Sequence, residues 1–135
     1  MSFVLDSSVS AAWGFPDEEV PYADKVLTQL QFTTAVVPAL WPFEIASVLL
    51  VGERRGRLTA AQAQRFVDDL RMLPIIVDDV AWLALVPLVL ALGREFGLSA
   101  YDAAYLELAA RRGLPLATLD ARLRDAAARH GVPLL

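Results

Sequence analysis

Short apolar runs alternate with longer helical segments along this chain, and that alternation constrains the fold more than any other feature. Apolar runs of this length, bounded by polar or turn residues, are typical of strands buried on both faces of a sheet. We predict five strands, at residues 3–5, 34–37, 75–77, 114–118 and 132–135. Helices are predicted between them, over about 17–31, from 42 to the charged stretch 52–57, and over 59–73, 78–97, 99–112 and 120–130. This order predicts an α/β fold with a parallel sheet covered on both faces by helices.

Particular residues mark the expected helix boundaries. Three consecutive acids at 17–19 favour a helix N-terminus, because negative charge complements the helix dipole there. Thr59 with Gln62, and Ser99 with Asp102, have the spacing of a capping box. Pro87 is expected to break or kink the long apolar helix near Val86, because proline lacks the N–H that a helix interior requires.

The composition limits the chemistry that the chain can carry out. The 135 residues include no cysteine and one histidine, so thiolate sites are excluded and a histidine-based zinc site is implausible. A metal would have to be held by oxygen ligands, which points to Mg²⁺ or Mn²⁺. The net charge of −4 argues against broad electrostatic capture of nucleic acid.

Length and patterning predict a single domain over residues 1–135, because no repeat, linker or low-complexity segment interrupts the chain. The longest apolar run, 81–93, is too short to cross a bilayer, and Asp6 interrupts any N-terminal signal segment. We therefore expect a cytoplasmic protein with no membrane contact. An apolar fraction of 56% favours a partner protein or a homodimer.

Four acids follow strands or begin helices: Asp6, Glu44, Asp102 and Asp120. Each has an ordinary structural explanation, because Asp is a common N-cap and acids in the first turn complement the helix dipole. Taken alone, Asp6 is better explained as a helix cap than as a catalytic group. The functional explanation is that such positions meet at one edge of a parallel sheet, where ligands bind.

Electrostatics limits how close these acids can come without a ligand. Two carboxylates about 4 Å apart repel by roughly 4 kcal/mol at an effective dielectric constant of about 20. A capping preference of about 1 kcal/mol does not offset that repulsion. Acids that converge must therefore share protons or bind a cation, although periodicity does not show which of them converge.

Four stretches carry a resemblance to a known family. They are FVLDSSV at 3–9, VPALWPFEIASVLL and ERRGRLT within 37–59, GLSAYDAAYLELAARRGLPLATLDARL at 97–123, and AARHGVPLL at 127–135. The chain resembles PIN-domain proteins, and most of all the VapC toxin family of bacterial toxin–antitoxin pairs. The pairing of YDAAYLELA with LATLDARL is the most specific part of the match.

The resemblance implies a site, a sheet and an assembly. Asp6, Glu44, Asp102 and Asp120 match the family's acidic metal-binding cluster, and Ser7 and Thr118 match supporting hydroxyl positions. The implied fold is a PIN-like three-layer sandwich with strand order 3-2-1-4-5 and the first strand central. The implied activity is Mg²⁺-dependent (or Mn²⁺-dependent) cleavage of RNA by a homodimeric endoribonuclease toxin that a cognate VapB-like antitoxin neutralises.

One position departs from the family, and several others are candidates for contacts with RNA or antitoxin. Ser47 stands where relatives often carry asparagine, so any contact of that amide is lost. The densest basic cluster, Arg54, Arg55 and Arg57, is our candidate for RNA contacts, although cations at a helix C-terminus are also common on plain surfaces. Arg111 and Arg112 come next, and Trp13 and Trp41 could stack on bases but have core-like surroundings. The walls expected for an antitoxin groove are Phe43, Leu49, Leu50 and the helices around Trp41.

Other classes of protein remain alternatives. A haloacid-dehalogenase-like phosphatase would need a second acid two residues after Asp6, where this chain has Ser8. A nicotinamide-binding protein would need a glycine-rich first turn. A non-toxin PIN-like or structure-specific nuclease, and a non-catalytic acidic interaction domain whose acids only cap helices, are the two remaining readings.

Overall fold

The computed structural model describes all 135 residues. Strands and helices alternate as the sequence predicts, in an α/β arrangement. The elements are β1 (Phe3–Leu5), α1 (Ser7–Ala12), α2 (Pro21–Gln29), β2 (Ala35–Val37), α3 (Trp41–Arg54), α4 (Ala60–Arg71), β3 (Ile75–Val77), α5 (Trp82–Phe96), α6 (Ala100–Arg112), β4 (Leu116–Ala117) and α7 (Ala121–Arg129).

The sheet is parallel, with strand order β3-β2-β1-β4. This is the predicted order except at its edge, where the expected fifth strand is reduced to a single parallel bridge between Leu116 and Leu134. The strand β1 is central and every one of its residues is buried, which explains its uninterrupted apolar sequence. Because all strands run the same way, their carboxyl ends lie along one edge of the sheet.

The helix α6 is the most deeply buried helix of the fold. All residues from Ala103 to Ala109 are buried, and the helix packs on α5, α7 and β1. Small residues at several of these positions allow close approach to its neighbours. Its two ends differ in environment, since the first turn lies near the carboxyl edge of the sheet and the last turn carries two arginines.

The helices differ from the prediction in three places: α1 is additional, α2 begins at Pro21 rather than near 17, and α5 begins at Trp82 rather than at 78. The six-residue helix α1 was not predicted, because its SSVSAA sequence is short and has low helix propensity. The predicted start at 17–19 was wrong: α2 begins at Pro21, a first-turn proline whose missing N–H would have had no helical partner. Two of those acids instead face Arg57, whose Nη2 lies 2.8 Å from Glu18 and 3.8 Å from Asp17.

Of the two outcomes predicted at Pro87, a break does not occur, because α5 continues through it from Trp82 to Phe96. Pro87 leaves the carbonyl of Leu83 without its helical donor, and both residues are exposed, so water can take the donor's place. The capping box predicted at Thr59 and Gln62 is present in full. No single helix has both the length and the hydropathy to span a membrane, and α5 and α6 meet that test only jointly, across a 107° bend.

Candidate active site

The fold places all four predicted acids at the carboxyl edge of the sheet or on helix first turns beside it. Asp6 directly follows β1, and Asp120 follows β4 at the N-cap of α7. Glu44 lies in the first turn of α3, the helix after β2, and Asp102 lies in the first turn of α6. Four separate segments of the chain therefore present a carboxylate to one region.

The charges of the four carboxylates influence the pKa values within the group. Burial raises the pKa of Asp102, and the charges of Asp120, Asp6 and Glu44 raise it further. The pKa of Asp6 is raised by burial as well, and the charge of Asp120 adds to that effect. Asp102 is therefore close enough to each of the other three acids for their charges to act on it.

Asp6 is buried and occupies the N-cap position of α1, but its side chain does not cap the helix. Only 4% of it is exposed, and its side chain makes no capping hydrogen bond to α1. Its Oδ2 instead accepts hydrogen bonds from Ser8 Oγ at 2.6 Å and Thr118 Oγ1 at 2.7 Å. The capping explanation that the sequence favoured for Asp6 is therefore wrong. Two hydroxyl groups hold its carboxylate in place.

The same two hydroxyl groups connect Asp6 to the loop after β4. Thr118 Oγ1 also accepts from the backbone N–H of Asp120 at 3.0 Å, and Ser8 Oγ accepts from the backbone N–H of Leu119 at 3.0 Å. Thr118 was predicted to support the site, whereas Ser8 was considered only as a missing acid. Ser7, the other predicted hydroxyl, is half-buried, and its hydroxyl makes no hydrogen bond to Asp6. Its backbone N–H lowers the pKa of Asp6, and its hydroxyl lowers the pKa of Tyr105.

Asp120 caps a helix and belongs to the acidic cluster at the same time. Its Oδ1 accepts from the backbone N–H of Leu123 at 2.9 Å, which is the cap predicted for α7. Its Oδ2 has no hydrogen-bond partner in the protein. One oxygen of Asp120 therefore stabilises α7, while the other stays available to bind a ligand.

Glu44 is held by a tyrosine that the sequence analysis did not single out. Tyr105 Oη donates to Glu44 Oε1 at 2.5 Å. Burial, followed by the hydrogen bond and charge of Glu44, raises the pKa of Tyr105 far above its ordinary value, so the phenol remains a proton donor. Tyr105 lies three residues after Asp102, on the same face of α6, and this spacing is the sequence signal that could have identified it.

The donor set fits a hard divalent cation, although it is not a preformed coordination shell. No group of three acidic side chains is arranged to hold an ion as it stands. Glu44 Oε2 and Asp120 Oδ2 have no hydrogen-bond partner in the protein, and carboxylate oxygens are the ligands that Mg²⁺ prefers. The raised pKa values of Asp6 and Asp102 show a cost of ionisation that a cation would offset.

The predicted RNA-contacting arginines lie away from the acids. Arg54 and Arg55 are exposed at the C-terminal end of α3, about 15 Å along the helix axis from Glu44. Arg57 pairs with Glu18, and its guanidinium lies over the Phe15 ring, 4.2 Å from the centroid. The exposed cations of this cluster are therefore remote from the four acids.

The other candidate binding residues have partners within the fold. Arg111 and Arg112 both form ion pairs with the buried Asp78. Trp13 Nε1 donates to the carbonyl of Ala23, and Trp41 Nε1 donates to Ser10 Oγ. These four side chains are structural, as the core-like surroundings of the two tryptophans indicated.

An apolar groove of about 420 Å³ runs between α3, α4 and β3. Of the residues predicted as groove walls, Leu49 and Trp41 line it. Phe43 and Leu50 are exposed but lie outside the lining, and Phe43 is 78% exposed. The main lining residues are Trp41, Ile45, Leu49, Val67, Leu70 and Ile75.

The sequence is similar to known proteins over nearly its whole length. The family model of the PIN domain matches residues 3–129. Ribonuclease VapC3 of Pyrobaculum aerophilum is 30% identical over 113 residues, which cover 84% of this chain and 85% of that protein.

Solved structures show the same architecture. PAE2754 from Pyrobaculum aerophilum superposes with a TM-score of 0.70 at 26% identity, over 93% of this chain and 87% of that one. A chain of a toxin–antitoxin complex from Klebsiella pneumoniae superposes with a TM-score of 0.60 at 16% identity, over 87% of this chain and 86% of that one. At 16% identity, the similarity to the Klebsiella pneumoniae chain concerns the fold alone.

Proposed function

The chain belongs to the PIN-domain family, and from this premise we propose that it is a metal-dependent endoribonuclease toxin that an antitoxin neutralises. One observation carries the proposal: the charges of Asp6, Glu44 and Asp120 all raise the pKa of Asp102, which supports a single site formed by these four carboxylates. The similarity of this chain to a protein named as a ribonuclease supports the proposed reaction type.

We assign Asp6 and Asp102 as the principal ligands of Mg²⁺, with Mn²⁺ as a substitute. Glu44 and Asp120 act as further ligands, directly or through water, or orient the attacking water with their free oxygens. A divalent ion bound there supplies Lewis-acid activation of the phosphodiester and a lowered pKa for bound water. Ser8 and Thr118 hold the Asp6 carboxylate, so that its position is set before substrate arrives.

The charge of the protein makes the metal necessary for substrate approach as well as for chemistry. With a net charge of −4 and four clustered acids, the bare site repels the phosphates of RNA. Arg54 and Arg55, at the far end of α3, are the cations we assign to more distant phosphates. RNA affinity should therefore depend on the divalent ion.

We propose that an apolar segment of the antitoxin occupies the groove between α3, α4 and β3. The lining is almost entirely hydrophobic, and such a groove suits an amphipathic helix. The presence of a similarly folded chain in a toxin–antitoxin complex supports this partner class. We assign the exposed apolar residues of α5 to a homodimer interface.

The test is cleavage of structured RNA by the purified protein, with Mg²⁺ or with EDTA. We expect cleavage only with the metal, and a loss of at least about 100-fold in Asp6→Asn and Asp102→Asn, because each removes a charged ligand. Asp125→Asn is the matched control, since Asp125 is an exposed acid of α7 paired only with Arg129. Unchanged cleavage in both site variants would contradict the assignment.

A further inference from the structure

A buried tyrosine hydroxyl contacts one of the four acids directly. Tyr105 is fully buried in α6, and its Oη lies 2.5 Å from Glu44 Oε1 in α3. A buried phenol normally finds a hydrogen-bond partner. Here the partner is a carboxylate of the candidate site, on a different helix.

This hydrogen bond distinguishes the two oxygens of Glu44. Oε1 accepts from Tyr105, whereas Oε2 has no partner in the protein. A glutamate side chain at a half-buried position would otherwise sample several rotamers, and a short hydrogen bond to a charged acceptor restricts it strongly. The bond therefore determines which oxygen is left for a ligand.

The two helices joined by this bond have mainly different neighbours. Helix α3 packs on α1 and α4, whereas α6 packs on α5, α7 and β1. Glu44 belongs to the first helix and Asp102 to the second, one turn before Tyr105. The Tyr105 hydroxyl thus links the helix that carries Asp102 directly to the Glu44 side chain on the other helix.

We propose that Tyr105 is a positioning residue, whose hydroxyl holds Glu44 Oε1 so that Oε2 acts on the metal or the attacking water. The inference rests on the proposed function and deepens it. It adds Tyr105 to a site in which the Asp6 carboxylate is already held by two hydroxyl groups and the Asp120 carboxylate by a backbone N–H.

The test is Tyr105→Phe, which keeps the buried ring and removes only the hydroxyl. We expect Mn²⁺ affinity, measured by titration calorimetry, to fall about 10-fold, because loss of a group that orients a ligand typically costs about 10- to 100-fold. We expect kcat for RNA cleavage to fall by about 10- to 100-fold with KM little changed. Tyr22→Phe is the matched control, since its hydroxyl donates only to the carbonyl of Leu135.

A double variant separates positioning from general structural damage. If Tyr105 acts through Glu44, adding Tyr105→Phe to Glu44→Gln should cause no further loss of Mn²⁺ affinity or kcat. Losses that multiply in the double variant, or a Tyr105→Phe protein that behaves like Tyr22→Phe, would overturn the inference. Failure of the unaltered protein to bind Mn²⁺ at all would instead overturn the proposed function, on which the inference depends.

Discussion

Asp6 and Asp102 are more costly to ionise in the folded protein than in the unfolded chain. Burial is the largest cause for both, and neighbouring carboxylates add to it. Because the folded-state pKa is raised above about 3.8, the folded protein binds protons more tightly than the unfolded chain. The free energy of unfolding therefore falls as pH rises from about 3.8 through the folded-state pKa. Above the folded-state pKa, both carboxylates are ionised and the whole of this loss of stability is present. Sites that keep such a penalty are typically functional.

The variant Asp102→Asn should raise the melting temperature of the metal-free protein at pH 7. The substitution removes one charge from four that repel, at nearly constant side-chain volume. The gain should disappear below about pH 3.8, where Asp102 is protonated in both states. Differential scanning calorimetry in EDTA measures both values. Asp125→Asn, at an exposed position, should show no gain, and a lower melting temperature for Asp102→Asn at pH 7 would contradict this account.

Helix α6 joins the candidate site to a buried ion-pair network at its other end. Arg111 contacts Asp78 and Glu107 at 2.6 Å each, and Arg112 contacts Asp78 at 2.7 Å. Burial opposes ionisation of Asp78, but the two arginines outweigh it and lower its pKa. The resulting stability is present above the unfolded pKa and is lost as pH falls through the folded-state pKa. The network anchors the helix that carries Asp102 and Tyr105.

The variant Arg111→Met should lower the free energy of unfolding by about 3 kcal/mol, because it leaves the buried Glu107 without its cation. Arg129→Met removes an arginine from an exposed pair with Asp125 and should cost about 0.5 kcal/mol or less. Urea unfolding at pH 7 measures both. Equal stability of the two variants would show that the network does not anchor α6.

The surface of the protein carries two separate apolar regions. Besides the groove between α3, α4 and β3, helix α5 exposes Trp82, Leu83, Val86 and Leu90, with Trp82 at 70%. Apolar residues at this helical spacing form a continuous strip, and such patches mark contacts with other chains. Two separate apolar surfaces are consistent with two different contacts, one with a second copy and one with an antitoxin.

If α5 forms the proposed homodimer interface, Val86→Glu should convert the dimer to a monomer, because a carboxylate in an apolar interface would be buried without a partner. Sedimentation velocity at micromolar concentration measures the change. Val67→Glu, which alters the groove, should leave the dimer intact and weaken antitoxin binding. A monomeric unaltered protein, or a Val86→Glu dimer, would contradict the assignment of α5.

Local signals in the sequence were sufficient for most of the secondary-structure elements. The strands, most of the helices, the cap at Asp120 and the capping box at Thr59 depend on residues within a few positions of one another, so periodicity and capping rules predict them. Those rules failed at Pro87, where the local preference of proline to end a helix was overridden. The helix α5 continues through Pro87 because solvent can satisfy the carbonyl that proline leaves free.

The chemistry of the site depends on contacts between residues far apart in the chain. Thr118 and Asp6 are 112 positions apart, and Tyr105 and Glu44 are 61 apart. Composition and family resemblance identified the four acids, and oxygen-only ligands followed from the absence of cysteine. That Asp6 is held by Ser8 and Thr118 rather than capping a helix, and that Tyr105 holds Glu44, follows only from the folded arrangement. A hydrogen bond requires donor and acceptor within about 3 Å, and no local preference specifies that distance across a chain.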